Sequence, residues 1–313
     1  MESPLHEPIT VGGTLYQPIH ANDVVLIRNA AERSNAWLWA AFGPFLLSYG
    51  QSRSRAILIG ESGGAVIIAI RRRIRGADHL DLVIPPLGDT AISLLQSVAD
   101  AFAAYNGPNT ETRVLWADLP VVASVSVRAD WSATPYEHEY VYEREQVLGM
   151  AGAEYRMLRK RVNRCEREAT PYVREYVAAD REACAELLRE WQDARESRDE
   201  PVFDFGYTLA ALEIAESIGS PDLVGVVLEV DGEIRAFAFG GVLRAGIGQF
   251  FVQKSDPSIV GLSETTRVEL LRRLDGCRYV NDAGDLGHEG LAQHKRAFRP
   301  VAFVPTWKLA YRR

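Results

Sequence analysis

Residues 279–300, YVNDAGDLGHEGLAQHKRAFRP, crowd acids, amides and cations into one short stretch. Side chains of these types can orient a substrate, take up a proton and stabilise developing negative charge. Residues 278–281 have the pattern of a short strand. Residues 282–287 form a turn in which Gly284 and Gly287 permit conformations closed to other residues. A helix is predicted over residues 289–298, stopping before Pro300, which cannot continue it. Leu291, Lys295 and Phe298 lie on adjacent turns of that helix, so Lys295 starts beside the core side and can reach back toward Asp285. Residue types alone leave open a plain C-terminal helix with solvated or paired charges.

A second segment, residues 155–168 (YRMLRKRVNRCERE), has a different chemistry. At 3.6 residues per turn, Tyr155, Leu158, Val162 and Cys165 make one apolar stripe. Arg156, Lys160, Asn163, Arg164 and Arg167 line the other side, with Arg159 and Arg161 at its edges. Glu154, Glu166 and Glu168 sit at the ends and leave the middle positive. Such a face is either solvated and paired with those acids, or it tracks phosphates, each of which adds salt-dependent affinity through counterion release.

The elements that must hold these residues are bounded by length and composition. A chain of 313 residues suits two domains of roughly 150 residues, each with its own core. Apolar residues make up 47% and charged residues 25%, ordinary for a soluble globular protein. The net charge of −7 argues against DNA as a partner and confines any nucleic-acid contact to a local basic patch. Cys165, Cys184 and Cys277 have no CxxC or Cys/His spacing, so neither a disulfide framework nor a metal site is expected and a cytoplasmic location is. Residues 36–49 are apolar but include Gly43 and Pro44, and they are too short to span a bilayer of about 30 Å. They are expected to form a buried helix and its turn. Glu2, His6 and Glu7 leave no signal-peptide pattern at the start.

The chain repeats its own pattern. Residues 56–70 form two apolar strands around Glu61-Ser62-Gly63-Gly64, and residues 223–239 do so around Asp231-Gly232. Each hairpin is followed by a strand, a Pro/Gly turn, an amphipathic helix and a last strand. These are residues 80–84, 90–102 and 113–116 in one half, and 248–252, 263–274 and 278–281 in the other. Matching points lie about 170 positions apart, which predicts two copies of one α+β unit, residues 1–135 and 136–313. Asp180 is placed to cap a helix whose Cys184, Leu187, Leu188 and Trp191 form an apolar stripe. The order of elements is similar to that of the acetyltransferase superfamily, and a monomer of two pseudo-equivalent halves is expected.

Three segments carry a closer resemblance: GAEYRMLRKRVNRCERE, FFVQKSD at residues 250–256, and the closing YVNDAGDLGHEGLAQHKRAFRP. Together they resemble the C-terminal catalytic domain of phosphatidylglycerol lysyltransferases, and PPLGD at residues 85–89 is similar to that family's first half. Order and spacing agree over residues 37–308. The resemblance implies two tandem GNAT-like units with mixed sheets flanked by helices. It also implies that an aminoacyl group leaves a tRNA for an acceptor, with aminoacyl-tRNA as co-substrate and no separate cofactor. It puts the tRNA end on Arg159, Lys160, Arg161 and Asn163, to which Arg156, Arg164 and Arg167 of the same helix add. A lysine–aspartate pair falls on Lys254 and Asp256, and the closing motif on Asn281, Asp285, Gly287, Leu291, Lys295 and Pro300.

Two departures stand out. Gln253 replaces a glutamate, and Asp282-Ala283 replaces an Arg-Glu pair, where the side chain of the transferred amino acid would be recognised. Both point away from lysine. The membrane-spanning part of the full lipid synthases is not expected here. The acceptor is therefore expected to be the amine or hydroxyl of a small molecule, with a phospholipid head group as the alternative.

An aminoacyl ester is already activated, so the reaction needs positioning, deprotonation and an oxyanion stabiliser rather than a covalent enzyme intermediate. No GxSxG and no cysteine nucleophile motif is present, in keeping with direct transfer. Asn281, Asp285, Lys254 and Lys295 form the expected catalytic set. In it Asp285 binds the α-ammonium or acts as base, and the two lysines stabilise negative charge. Gln253, Asp256, Asp282, His288 and Arg299 are expected around the substrate, His288 doubling as a helix cap. An acetyl-CoA enzyme is the main rival. It would need a Gln/Arg-x-x-Gly-x-Gly/Ala turn, whereas SIVGLSET offers only Gly261 and PPLGDTAI only Gly88. A non-catalytic binding module is the third possibility.

Overall fold

Short turns rich in left-handed residues fold most of the strands of this chain into antiparallel hairpins. Gly63 and Gly64 both have positive φ, as do Asp231 and Gly232, and each pair closes a tight connection between apolar strands. The computed structural model describes residues 4–74, 76–89, 91–197 and 204–312. Contacts divide the chain into two compact units, Met1–Glu139 with Val304–Arg313, and Tyr140–Phe303.

The first unit contains β1 (Ile9–Val11), β2 (Thr14–Pro18), α1 (Asp23–Arg33), α2 (Gly43–Gly50), β3 (Arg55–Ser62), β4 (Ala65–Ile74), β5 (Ala77–Leu82), α3 (Ala91–Asn106), β6 (Thr112–Ala117) and α4 (Leu119–Val125). Strands β1 to β5 pair in sequence order and antiparallel, while β6 joins β5 in parallel. The late strand Ala302–Tyr311 then pairs antiparallel with β6. Leu58, Ile67, Leu82, Phe102, Val114 and Leu309 meet in this unit's core.

The second unit starts within β7 (Trp131–Glu143). It continues through α5 (Arg144–Gly149), α6 (Arg156–Glu168), β8 (Tyr172–Glu175), α7 (Arg181–Glu196), α8 (Phe205–Ile214), β9 (Val224–Val230), β10 (Glu233–Arg244), β11 (Ile247–Ser255), α9 (Leu262–Arg273), β12 (Tyr279–Asn281) and α10 (Glu289–Ala297), before β13 (Ala302–Tyr311). Its sheet runs β7-β12-β11-β10-β9-β8, with β11 and β12 parallel and the other pairs antiparallel. Both sheets are therefore mixed, and the α+β class read from the sequence is the one observed.

Two irregularities of the second sheet set where its polar side chains point. Phe239 pairs with Val252 but Gly240 with Phe250, so Phe251 is an extra residue that bulges β11. Strands β11 and β12 pair over only three residues, Ile247 to Gln249 against Tyr279 to Asn281, and β11 then runs on to Ser255 paired with β10 only. Cross-strand partners share a face. Ala238 and its partner Gln253 look toward α9, while Phe237 and its partner Lys254 look the other way.

The division of units falls at residue 139 instead of 135, and residues 304–313 group with the first unit because β13 completes that unit's sheet on β6. Residues 36–49 form a short 3-10 turn, Trp39–Ala41, and then α2. Asp180 does not cap α7. Its carboxylate takes the Val177 N–H (2.9 Å) and both Arg174 guanidinium nitrogens (2.6 and 2.7 Å), closing the 3-10 turn just before.

Candidate functional site

Strand β12 ends on Asn281, fully buried, whose Oδ1 accepts the Ala283 N–H at 2.9 Å. The next turn is left-handed at Ala283, Leu286 and Gly287, and not at Gly284. Asp285 steadies it by accepting the Gly287 N–H on Oδ1 (3.0 Å). His288 caps α10, its Nδ1 accepting from Leu291 N at 3.4 Å, which is the helix-capping role open to it in the sequence.

From α10 the buried Lys295 reaches back over this turn. Its Nζ donates to the carbonyl oxygens of Asp282 and Gly284 (2.7 Å), and lies 3.4 Å from that of Ala283. The lysine thus clasps the turn backbone leading to Asp285. The Asp282 carboxylate beneath is fully enclosed, ion-paired to Arg267, 3.6 Å from Lys295 Nζ, and hydrogen-bonded by Tyr142 Oη at 2.8 Å. Burial by itself would raise the Asp282 pKa, but the charges of Arg267 and then Lys295 outweigh it and hold the group below the ordinary carboxylate range. Arg267 in turn lies between aromatic faces, its guanidinium carbon 4.7 Å from the Phe250 centroid and 5.4 Å from that of Phe298. His294, half-buried beside them, is pushed down to about 4 by desolvation and by the Arg267 charge.

Asp285 is the half-buried outlet of this network. Tyr140 Oη donates to Asp285 Oδ2 at 2.6 Å, and the Tyr140 ring centroid is 5.7 Å from Lys295 Nζ. Burial, then the hydrogen bond to Asp285 and its charge, pushes Tyr140 up to about 12, so it stays a hydrogen-bond donor. Tyr140, Tyr142 and Arg267 are absent from the set expected on sequence. Their signal is the spacing of two tyrosines on one face of β7, which a strand-period reading can find.

The structure brings Asn281, Asp285 and Lys295 to one turn and puts Lys254 elsewhere. Lys254 is buried on the sheet face that looks toward α7. There its Nζ meets both Asp204 oxygens (2.9 and 3.0 Å) and lies 4.2 Å from the Trp191 ring. Gln253, on the opposite face, donates to the carbonyl (2.8 Å) and hydroxyl (3.0 Å) of Ser263 at the start of α9. Asp256 accepts from Ser258 N and Oγ (2.8 and 2.6 Å) and so shapes a turn. Arg299 donates to the Glu154 carbonyl at 3.0 Å.

Helix α6 keeps its apolar stripe, Leu158, Val162 and Cys165, in the core. Its cations divide by partner. Arg159 donates to the carbonyls of Met150 and Gly152, just past the end of α5. Arg161 pairs with the buried Glu264 (2.7 Å), and Arg164 and Arg167 share Glu168 (2.7 and 3.0 Å). Arg156, Lys160 and Asn163 are exposed and make no side-chain bond among the described residues. The start of α9 packs directly on α6: Gly261 has φ of +87°, and a Cβ there would run into the Arg161 carbonyl. Among the described residues no group of three or more His, Cys, Asp or Glu side chains could hold a metal ion, and no helix is long and apolar enough to cross a membrane.

Residues 45–310 match the family model described as "Phosphatidylglycerol lysyltransferase, C-terminal". The chain belongs to this family. Membership in the phosphatidylglycerol lysyltransferase C-terminal family makes it a transferase of acyl groups. No curated protein shows a sequence match to the chain. Solved structures do resemble it. A conserved protein of unknown function from Bacteroides thetaiotaomicron superposes with a TM-score of 0.76 at 18% identity, covering 95% of this chain and 99% of that one. L-PGS from Bacillus licheniformis gives 0.59 at 16%, covering 92% and 91%. FemX gives 0.65 at 10%, covering 95% and 97%. At these identities the likeness establishes the fold, the GNAT-like arrangement of mixed sheets flanked by helices.

Proposed function

We propose that this family member moves an amino acid from aminoacyl-tRNA to the amine or hydroxyl of a small acceptor by direct transfer. The observation that carries this reading is the packing at the start of α9. An acyl-CoA enzyme needs that helix end open for a pyrophosphate. Here the Arg161 carbonyl abuts Gly261, and the buried Glu264 carboxylate sits in the first turn. A second negative group would be repelled there, whereas the exposed Arg156, Lys160 and Asn163 on the neighbouring helix suit a polynucleotide backbone.

In this reading the acceptor atom attacks the ester carbonyl, its proton passes to a base or water, and the tetrahedral oxyanion collapses with expulsion of the terminal ribose oxygen. Asp285 binds the α-ammonium of the aminoacyl group, held in place by Tyr140 and by the turn that Lys295 clasps. Lys295 is then a positioning residue, since its ammonium is already spent on backbone carbonyls. Asp282 is enclosed by Arg267 and Tyr142, so it supports the turn from below and does not touch substrate. The family's description names lysine and phosphatidylglycerol; the departures at Gln253 and Ala283 favour another amino acid here.

The test is consumption of aminoacyl esters. Purified protein, a pool of charged tRNAs and a cell extract as acceptor source should deplete one aminoacyl-tRNA in an extract-dependent way, and Asp285→Asn should abolish this. Depletion of none of them, together with coenzyme A binding near Gly261 by calorimetry, would establish the acetyl-CoA rival instead.

A further inference from the structure

The first unit has a gap in its sheet that the transfer reaction leaves unused. Parallel strands β5 and β6 share one Cα pair, Leu82 with Val114. Toward their amino ends, side chains take the place of the ladder. Asn106, the last residue of α3, accepts from Leu80 N and donates to Leu80 O, both at 2.8 Å. Asp81, fully buried, accepts the Arg113 N–H at 2.7 Å. Where the strands part, a groove of about 1190 Å³ opens. That is room for a metabolite-sized ligand, since such sites usually run to roughly 300–1,000 Å³.

The groove has a built floor and a charged rim. His79 and Asp81 lie two apart on β5 and so share a face, and Arg72 is the partner of His79 across β4. His79 is only 9% exposed, with Nε2 3.2 Å from Asp81 Oδ1, and Arg72 also pairs with Asp81. At the rim Arg113 (3.3 Å) and Arg312 (Nε, 2.7 Å) both hold Glu111.

Lining charges balance in number, so donors and acceptors decide what fits. Asp81 is engaged by His79, Arg72 and a backbone N–H, Glu111 by two arginines, and Asp78 by Arg71 and Arg73. Such carboxylates have little accepting capacity left. Each guanidinium, by contrast, has five N–H donors, and the buried Arg72 Nε has no hydrogen-bond partner. The surplus is of donors, and Arg72, Arg113 and Arg312 all line this one space. We infer that this groove binds a phosphorylated small molecule, with its phosphoryl oxygens taken by Arg72, Arg113 and Arg312 beside His79. Guanidiniums match such oxygens better than any other side chain, and the remaining volume holds the organic part.

Titration calorimetry of the whole chain with glycerol 3-phosphate, inorganic phosphate and glycerol tests this. Both phosphates should bind, and glycerol should not. The double variant R113Q/R312Q alters side chains that are 57% and 78% exposed, so folding should survive, and phosphate affinity should fall at least about tenfold. Sedimentation with phosphatidylglycerol vesicles, against phosphatidylcholine, identifies the source. Vesicle binding lost in the same variant would assign the phosphate to a lipid surface, and binding of soluble glycerol 3-phosphate alone would assign it to a free metabolite. Absence of both, or unchanged phosphate affinity in a folded variant, overturns the site.

Discussion

The division of labour along helix α6 makes a quantitative forecast. Of its six cations, Arg161, Arg164 and Arg167 are tied to carboxylates and Arg159 to carbonyls, which leaves Arg156 and Lys160 as the exposed cations without such ties among the described residues. If tRNA lies on this helix, those two make the phosphate contacts that release counterions. Each contact contributes about 0.9 to the slope of log affinity against log salt, so Arg156→Gln with Lys160→Gln should flatten that slope by about 1.8. With affinity at 1 M salt unchanged, the loss at 0.1 M is roughly sixtyfold. The companion variant Arg164→Gln with Arg167→Gln should change the slope by less than about 0.9, because Glu168 already screens that pair. Fluorescence anisotropy of labelled tRNA between about 50 and 400 mM salt measures both. An unchanged slope in the first variant, or a larger change in the second than in the first, refutes the assignment.

The enclosed network makes further forecasts. Arg267→Met leaves Asp282 buried with less compensation and should cost about 3–5 kcal/mol in urea unfolding. His294 has a folded pKa of about 4 against 6.5, so the unfolded chain takes up its proton first. Stability should therefore fall as pH drops from about 6.5 through about 4, by about 3 kcal/mol in all, and His294→Gln should flatten that part of the profile. Tyr140→Phe keeps the ring and removes the donor to Asp285, so kcat/KM for aminoacyl transfer should fall roughly tenfold or more; undiminished activity would remove Asp285 from the site. Gly261→Ala adds a Cβ where the backbone is left-handed and the Arg161 carbonyl is in the way, and should lower stability by at least about 2 kcal/mol in thermal unfolding.

Local patterns are the legible part of this chain. The hairpins β3–β4 and β9–β10 are readable from Gly63-Gly64 and Asp231-Gly232, and α6 from its apolar spacing, because turn chemistry and helical period act within a few residues. The turn after β12 is legible in outline, but its left-handed positions go to Ala283, held by Asn281 and Lys295, and to Leu286, spanned by the Asp285–Gly287 hydrogen bond. What local pattern cannot carry is partnership at a distance. Lys254 finds Asp204 fifty residues away in the chain, and Tyr140 finds Asp285 across 145, each through the sheet's topology. The same holds for β13, whose partner β6 lies far back in the chain.

That last pairing has a consequence for synthesis. The second unit, Tyr140–Phe303, is an insertion within the first, because Val304–Arg313 returns to close the sheet begun at β1. Until that strand arrives, β6 presents an open sheet edge, the kind of surface that recruits wrong strands. The first unit is translated first and finished last. A chain truncated after residue 303 should still hold a protease-resistant second unit while the first is cleaved, and restoring the final strand should protect both.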